Sequence, residues 1–209
     1  MKNNLLIIGA GAQGRITQEL ANLLNYDSIE FLDDTFPIGT EINGSKIVGG
    51  FKDFSNPSIH KKQSIVVAIG DTKIKKKLYQ CLISGKYHLP SLIHPGSSVS
   101  KSSKIGKGVF INNFTSIFPN SEIGDYIILD NHSSIGVDCK ISSNVFIGPG
   151  VQVNSKVCIG EGSFIGAGAV ILPGLKIGKW SVIGANSTVT KSVKDRSTVV
   201  GSPAKDLIY

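Results

Sequence analysis

The sequence predicts an α/β Rossmann-like half domain followed by a long solenoid of short strands, and two patterns predict it. From Ile93 to Val189 an aliphatic residue recurs at every sixth position, seventeen in succession without an insertion. Ahead of that run lies Gly9-Ala10-Gly11-Ala12-Gln13-Gly14, a GxGxxG turn set between an apolar stretch and a helical pattern. The texture changes near residue 90, which divides the chain into an N-terminal domain over 1–90 and a C-terminal domain over 91–209.

In chain order, Leu5 to Ile8 reads as the first strand. The glycine turn leads into a helix with Ile16, Leu20, Leu23 and Leu24 at helical spacing. A second strand, Ser28 to Leu32, ends at Asp33-Asp34, nineteen and twenty residues past Gly14, where an acid can hydrogen-bond a ribose. A third strand, Ile65 to Ile69, passes through Gly70-Asp71 into a helix from Thr72 to about Ser84. Backbone amides at a helix start favour phosphate, so Gly9, Gly11, Gly14, Asp33, Asp34 and Gly70 are the expected nucleotide-binding positions. The competing reading is a turn that only packs a helix on a sheet, with both acids in solvent. About ninety residues hold one mononucleotide-binding half, which suits a single nucleotide better than a dinucleotide.

A helix cannot explain the sixfold repeat, because six steps of about 100° scatter the aliphatic residues around the cylinder. Short strands joined by corners can. The aliphatic residue then points inward, together with the residue two before it, which is small or β-branched at Ser103, Val109, Thr115, Ser121, Ser133, Cys139, Val145, Val151, Val157, Ser163, Ala169, Ser181 and Ser187. Glycine follows the aliphatic residue eight times, which relieves crowding where backbones turn or approach. The run resembles the hexapeptide-repeat left-handed parallel β-helix, whose members wind three hexads per coil into a triangular prism. Most proteins with this repeat are acyltransferases. Some are carbonic anhydrases, but a zinc site needs clustered histidines, and only His94 and His132 lie on this solenoid, so no metal is expected.

Composition narrows the setting. The net charge of +7 comes from scattered lysines, a cluster at Lys73, Lys75, Lys76 and Lys77, and a tail with Lys191, Lys194, Arg196 and Lys205. Such a surface attracts the phosphates of nucleotides and coenzyme A, or merely solubilises the protein. No aromatic-interleaved platform accompanies it, so no nucleic-acid partner is expected. There is no apolar run of about 18 residues for a membrane span and no signal-peptide layout at the start. Cys81, Cys139 and Cys158, an odd set without CxxC spacing, read as reduced thiols of a cytoplasmic protein.

The glycine turn, Phe31-Leu32-Asp33-Asp34, Ala68-Ile69-Gly70-Asp71, Leu92-Ile93-His94-Pro95, the solenoid and the closing Gly201-Ser202-Pro203-Ala204-Lys205 together resemble the NeuD/PglD-like family of sialic acid O-acetyltransferases and bacillosamine-type sugar N-acyltransferases. The resemblance implies a homotrimer that binds a nucleotide-linked sugar with its N-terminal domain and acetyl-CoA, or another acyl-CoA, along the solenoid. It implies acyl transfer, commonly to the 4-amino group of a UDP-linked amino-dideoxy sugar in surface glycan biosynthesis. Sialic-acid-type O-transfer and a nucleotide-sugar-binding trimer without turnover are the alternatives.

The departures from that family concern its histidines. With Ile135, Asp138 and Cys139 as anchors, the family's catalytic histidine falls on Val137, and a second, near the acyl-CoA, falls on Phe146. His132 is the nearest replacement base, with Asp130 or Asp138 as acidic companion; the alternative is an exposed corner histidine. In one chain His132 and Val137 occupy neighbouring corners, so only a subunit interface would unite them. For acyl-CoA the matching positions are Phe146, Ser155, Gly166-Ala167 and Gly184-Ala185, unless these glycines serve only the corners of the repeat.

Overall fold

The computed structural model describes residues 3–55 and 63–207, which divide into two compact units, Met1–Leu92 and Ile93–Tyr209. The first unit is built on a five-stranded sheet of order β3-β4-β2-β1-β5. Its elements are β1 (Asn4–Ile8), α1 (Ala12–Leu23), β2 (Ser28–Leu32), β3 (Glu41–Ile42), β4 (Ser45–Gly49), a 3-10 turn (Phe51–Ser55), β5 (Ser64–Val67) and α2 (Thr72–Ser84). β1 lies between β2 and β5, both parallel to it, and Leu5 to Ile8 are completely buried, as a continuous aliphatic run in a parallel sheet requires.

The inner stripe of α1 differs from the one the sequence suggests. Leu20 is buried, but Leu23 is 55% exposed, and the inward positions also include Gly14, Thr17, Gln18 and Ala21. Gln18 is tolerated there because its amide group donates to the carbonyls of Ile42 and Asn43 and to the Ser45 hydroxyl, tying α1 to the β3–β4 hairpin. That hairpin was not anticipated. Its turn, Asn43-Gly44, has φ of 48° and 82°, the left-handed pair that an Asn-Gly turn adopts most readily.

The second unit is the solenoid. Seventeen two-residue strands run from β6 (Leu92–Ile93) to β22 (Thr188–Val189), one per hexad, and each pairs in parallel with the strand 18 residues away, as in Ile117↔Ile135↔Val153. Three hexads therefore make one coil, and the strands stack into three sheets. The aliphatic residues from Ile111 to Val189 are all buried, and so are Val109, Thr115, Ser121, Ser133, Cys139, Val145, Val151, Val157, Ser163, Ala169, Ser181 and Ser187 two positions earlier. Inward hydroxyls donate to corner carbonyls further along the solenoid, as Ser121 does to Gly136 and Ser163 to Gly178, which offsets the cost of burying them.

The corners divide two jobs between two residues. Glycine after the aliphatic residue allows close approach: a Cβ on Gly136 or Gly166 would lie 2.6 Å from the backbone nitrogen of Ser155 or Ala185 one coil on. The left-handed conformation falls two residues later and is mostly carried by other residue types, including Phe114 (φ 56°), Tyr126 (59°), His132 (58°), Asp138 (58°) and Trp180 (57°). After β22 the chain closes the stack with β23 (Thr198–Val200), parallel to the last coil, and β24 (Lys205–Asp206), antiparallel to β23.

Candidate functional site

In the N-terminal unit, every nucleotide-binding position expected from the sequence gathers at the carboxyl ends of β1, β2 and β5, where open α/β sheets bind ligands. Gly9, with φ of 101°, donates its N–H to Leu32 O at 2.8 Å and begins the turn. Gly14 is the packing glycine: a Cβ there would lie 2.0 Å from Gly9 O. Gly11 caps α1 in extended conformation (φ −69°), and nothing lies within 4 Å of where its Cβ would be, so its backbone is open to an approaching group.

The two acids have different jobs. Asp33 is 8% exposed; its carboxylate accepts from Ala10 N at 2.7 Å and from the Thr35 amide and hydroxyl at 2.8 and 2.5 Å. Burial pushes its carboxyl up, but the bonds from Thr35 and Ala10 outweigh that and hold it below the ordinary value. Asp33 therefore pins the glycine turn from inside. Asp34 is exposed beside the turn and takes a single N–H, from Phe51 at 2.7 Å. Gly70 precedes Asp71, which caps α2 through Lys73 N and Ile74 N. The lysine cluster on α2 is not one solvated face: Lys73 and Lys77 are exposed, but Lys75 is fully buried, and desolvation lowers its pKa to about 7.

On the solenoid, the outer surface of each sheet is named by its residues. One face carries Ser98, Ser116, Ser134, Gln152, Val170 and Thr188; a second carries Lys104, Glu122, Lys140, Cys158 and Lys176; the third carries Phe110, Ile128, Phe146, Phe164 and Val182. The corner between the aromatic and serine faces stacks residues 112–114, 130–132, 148–150, 166–168 and 184–186 at about 4.8 Å per coil. It runs from Asn112-Asn113-Phe114 and Asp130-Asn131-His132 through Gly148-Pro149-Gly150 to Gly166-Ala167-Gly168 and Gly184-Ala185-Asn186. Asp130 and His132 thus share one corner with Gly166, Ala167, Gly184 and Ala185, and Phe146 leads directly into it.

Val137, Asp138 and Ser155 stand elsewhere, on the corner between the serine and lysine faces. Lys156 N donates to Val137 O, and the Asp138 carboxylate accepts from the Asn120 side chain at 3.3 Å. The exposed imidazole of His132 stacks on Phe114 with ring centres 4.9 Å apart, and neither Asp130 nor Asp138 bonds to it within the chain. Asp130 is nearly buried and accepts from the Asn112 side chain at 2.9 Å and from Asn131 N at 2.8 Å. His94 Nδ1 accepts from Gly96 N at 2.9 Å and closes a local turn. Among the described residues no group of three or more His, Cys, Asp or Glu is placed to hold a metal ion, and no helix is long and apolar enough to cross a membrane.

Comparison with known proteins matches residues 4–82 to the PglD N-terminal domain, and residues 138–173 and 159–191 to the bacterial transferase hexapeptide repeat. The chain is 31% identical over 117 residues to UDP-N-acetylbacillosamine N-acetyltransferase of Bacillus subtilis, a match covering 52% of this chain and 50% of that protein, so the alignment spans about half of each. The acetyltransferase domain of PglB from Neisseria gonorrhoeae, solved in complex with acetyl coenzyme A, is 32% identical over 99% of this chain and 100% of that one, with a TM-score of 0.93. PerB from Caulobacter crescentus, solved with CoA and GDP-perosamine, is 27% identical over 99% and 98%, with a TM-score of 0.92.

Proposed function

Because the chain belongs to the NeuD/PglD-like family of sugar acyltransferases, we propose that it is an acyl-CoA-dependent N-acyltransferase acting on a nucleotide-linked amino sugar in surface glycan biosynthesis, working as a cytoplasmic homotrimer. One observation carries the reading: Asp130, His132, Gly166-Ala167 and Gly184-Ala185, chosen from the sequence for two different roles, stack along a single corner.

In this reading the nucleotide's phosphates meet the amides at Gly11 and the start of α1, and Asp34 accepts from its sugar hydroxyls, while Asp33 keeps the turn in shape. The pantetheine arm lies on the Gly-Ala corner, where small side chains allow backbone approach. The amino group attacks the thioester carbonyl: a C–N bond forms, the C–S bond breaks, CoA leaves as thiolate, and the amine's proton passes to a base. Positioning and oxyanion stabilisation by backbone N–H groups carry most of the acceleration, and a positioned base adds roughly 10²- to 10⁴-fold. Val137 supplies no base, so His132 takes that role, and Val137, Asp138 and Ser155 of a neighbouring protomer complete the cleft. An amine that is partly neutral tolerates the change better than a hydroxyl, which favours N- over O-transfer.

Mass spectrometry of products from acetyl-CoA and a panel of UDP- and GDP-linked amino sugars tests the proposal; an N-acylated sugar nucleotide is the expected product. The stack of His132 on Phe114 favours a second reading, a trimer that binds both ligands without turnover. Tight binding with no product would select it.

A further inference from the structure

Only one of the three outer faces of the solenoid is apolar. The lysine face alternates Lys104, Glu122, Lys140, Cys158 and Lys176, and the serine face is mostly hydroxyls and an amide. On the third face Phe110 and Ile128 are buried, and the strip then surfaces as Phe146 and Phe164, half-buried, and Val182, 38% exposed. The Phe146 and Phe164 rings are parallel within 4° and 4.8 Å apart, the spacing of one coil, so they form a continuous wall, and Val182 occupies the next rung in register. The three residues sit on the strands that run straight into Gly148, Gly166 and Gly184 of the Gly-Ala corner.

We propose that Phe146, Phe164 and Val182 form a seat for the acyl chain of the donor, and that the protein prefers acyl groups of about four to eight carbons over acetyl. The inference rests on the acyl-CoA reading above, which lays the pantetheine arm on the Gly-Ala corner that the strand of Phe146 runs into. From Phe146 to Val182 the strip spans two rungs, about 10 Å, a length that an acetyl group leaves bare and a short-to-medium chain covers. Phe146 carries no polar group, so the strip is unbroken up to the end nearest the Gly148 corner. Each methylene moved from water onto such a surface is worth about fourfold in affinity, so butyryl, with two more than acetyl, gains about fifteenfold.

The test measures binding of CoA, acetyl-CoA, butyryl-CoA and octanoyl-CoA to the intact protein by calorimetry, with kcat/KM for each thioester and a UDP-linked amino-dideoxy sugar alongside. The expected result is a butyryl-to-acetyl affinity ratio of about fifteen, lowered at least threefold by Phe146→His and kept by Phe146→Leu, and an octanoyl-to-acetyl ratio lowered at least threefold by Val182→Asn. The second and third variants hold the test open should Phe146→His fail to fold. A wild-type ratio of one or below overturns the acyl seat and leaves the acyl-CoA reading standing. Failure to bind CoA or any thioester overturns both. A ratio that no variant changes, with sedimentation showing altered subunit association instead, assigns the strip to a contact between copies of this chain and overturns the proposal.

Discussion

Two glycines three residues apart in the same turn should respond to substitution in opposite ways. A Cβ on Gly14 would lie 2.0 Å from Gly9 O and 2.8 Å from Gly9 C, whereas ordinary contacts begin at 3.4 Å, so about 1.4 Å must open. The turn cannot retreat, because Gly9 N is bonded to Leu32 O at 2.8 Å and a Cβ on Gly9 itself would already be 3.0 Å from Ala68 O. Helix α1 has to lift from the sheet instead. Overpacking of this kind costs typically 1–3 kcal/mol or more, and the better helix propensity of alanine offsets up to about 1 kcal/mol, leaving a loss of about 2 kcal/mol. At roughly 4–8 °C per kcal/mol for a domain of this size, Gly14→Ala should lower the melting temperature of the N-terminal unit by about 8–16 °C in calorimetry. Gly11→Ala, in open space at φ −69°, should shift it by no more than about 2 °C. Gly11→Leu should weaken UDP-sugar binding about tenfold or more while acetyl-CoA binding is kept. An unchanged melt for Gly14→Ala would refute the packing argument, and equal loss of both ligands for Gly11→Leu would refute the separation of their sites.

The pKa of Lys75 in the folded unit, about 7, lies below the ordinary 10.5, so unfolding takes up a proton between those values, and stability should rise with pH from about 7 to 10.5; Lys75→Met should flatten that profile in pH-dependent denaturant melts, and parallel profiles would contradict the assignment. Ile147, fully buried in the solenoid, should tolerate Val at a cost of about 0.5–1.5 kcal/mol, whereas Asp should abolish the folded, soluble protein, as measured by urea denaturation and sedimentation. His132→Ala should lower turnover by about 10²-fold with little change in acetyl-CoA affinity; a normal rate in the mutant removes His132 from the mechanism.

The solenoid was legible because a strict six-residue count determines which residue points inward at every coil, and Ser121 or Ser163 fits that count as readily as Val145 does. The roles of corner residues were less legible. Glycine after the aliphatic residue signals close approach between coils, while some of the left-handed positions fall on Phe114, Tyr126 and Trp180, residue types that carry no such signal in a sequence. In the N-terminal unit the turn was plain, but Asp33 and Asp34 look alike on paper; only the bond from Ala10 N assigns one to the inside. Gln18 and Lys75 lie buried where polarity argues for solvent, and for Gln18 the bond to the Ser45 hydroxyl on the hairpin outweighs the local pattern. The β3–β4 hairpin could have been found from Asn43-Gly44 followed by Ser45-Lys46-Ile47-Val48. Which corner Val137 shares, and with whom, follows from counting in eighteens, whereas the neighbouring protomer proposed above to complete the cleft has no pattern in one chain to announce it.

The central claim is that the glycine-turn domain and the Gly-Ala corner serve one reaction, moving an acyl group from coenzyme A to an amino-sugar nucleotide. A single incubation of the purified protein with a UDP-linked amino-dideoxy sugar and a series of acyl-CoAs, followed by mass spectrometry and thiol titration, tests it most directly. The account predicts an N-acylated nucleotide sugar and one equivalent of free CoA thiol per product. Binding of both ligands with neither product nor thiol released over many protein equivalents would contradict it.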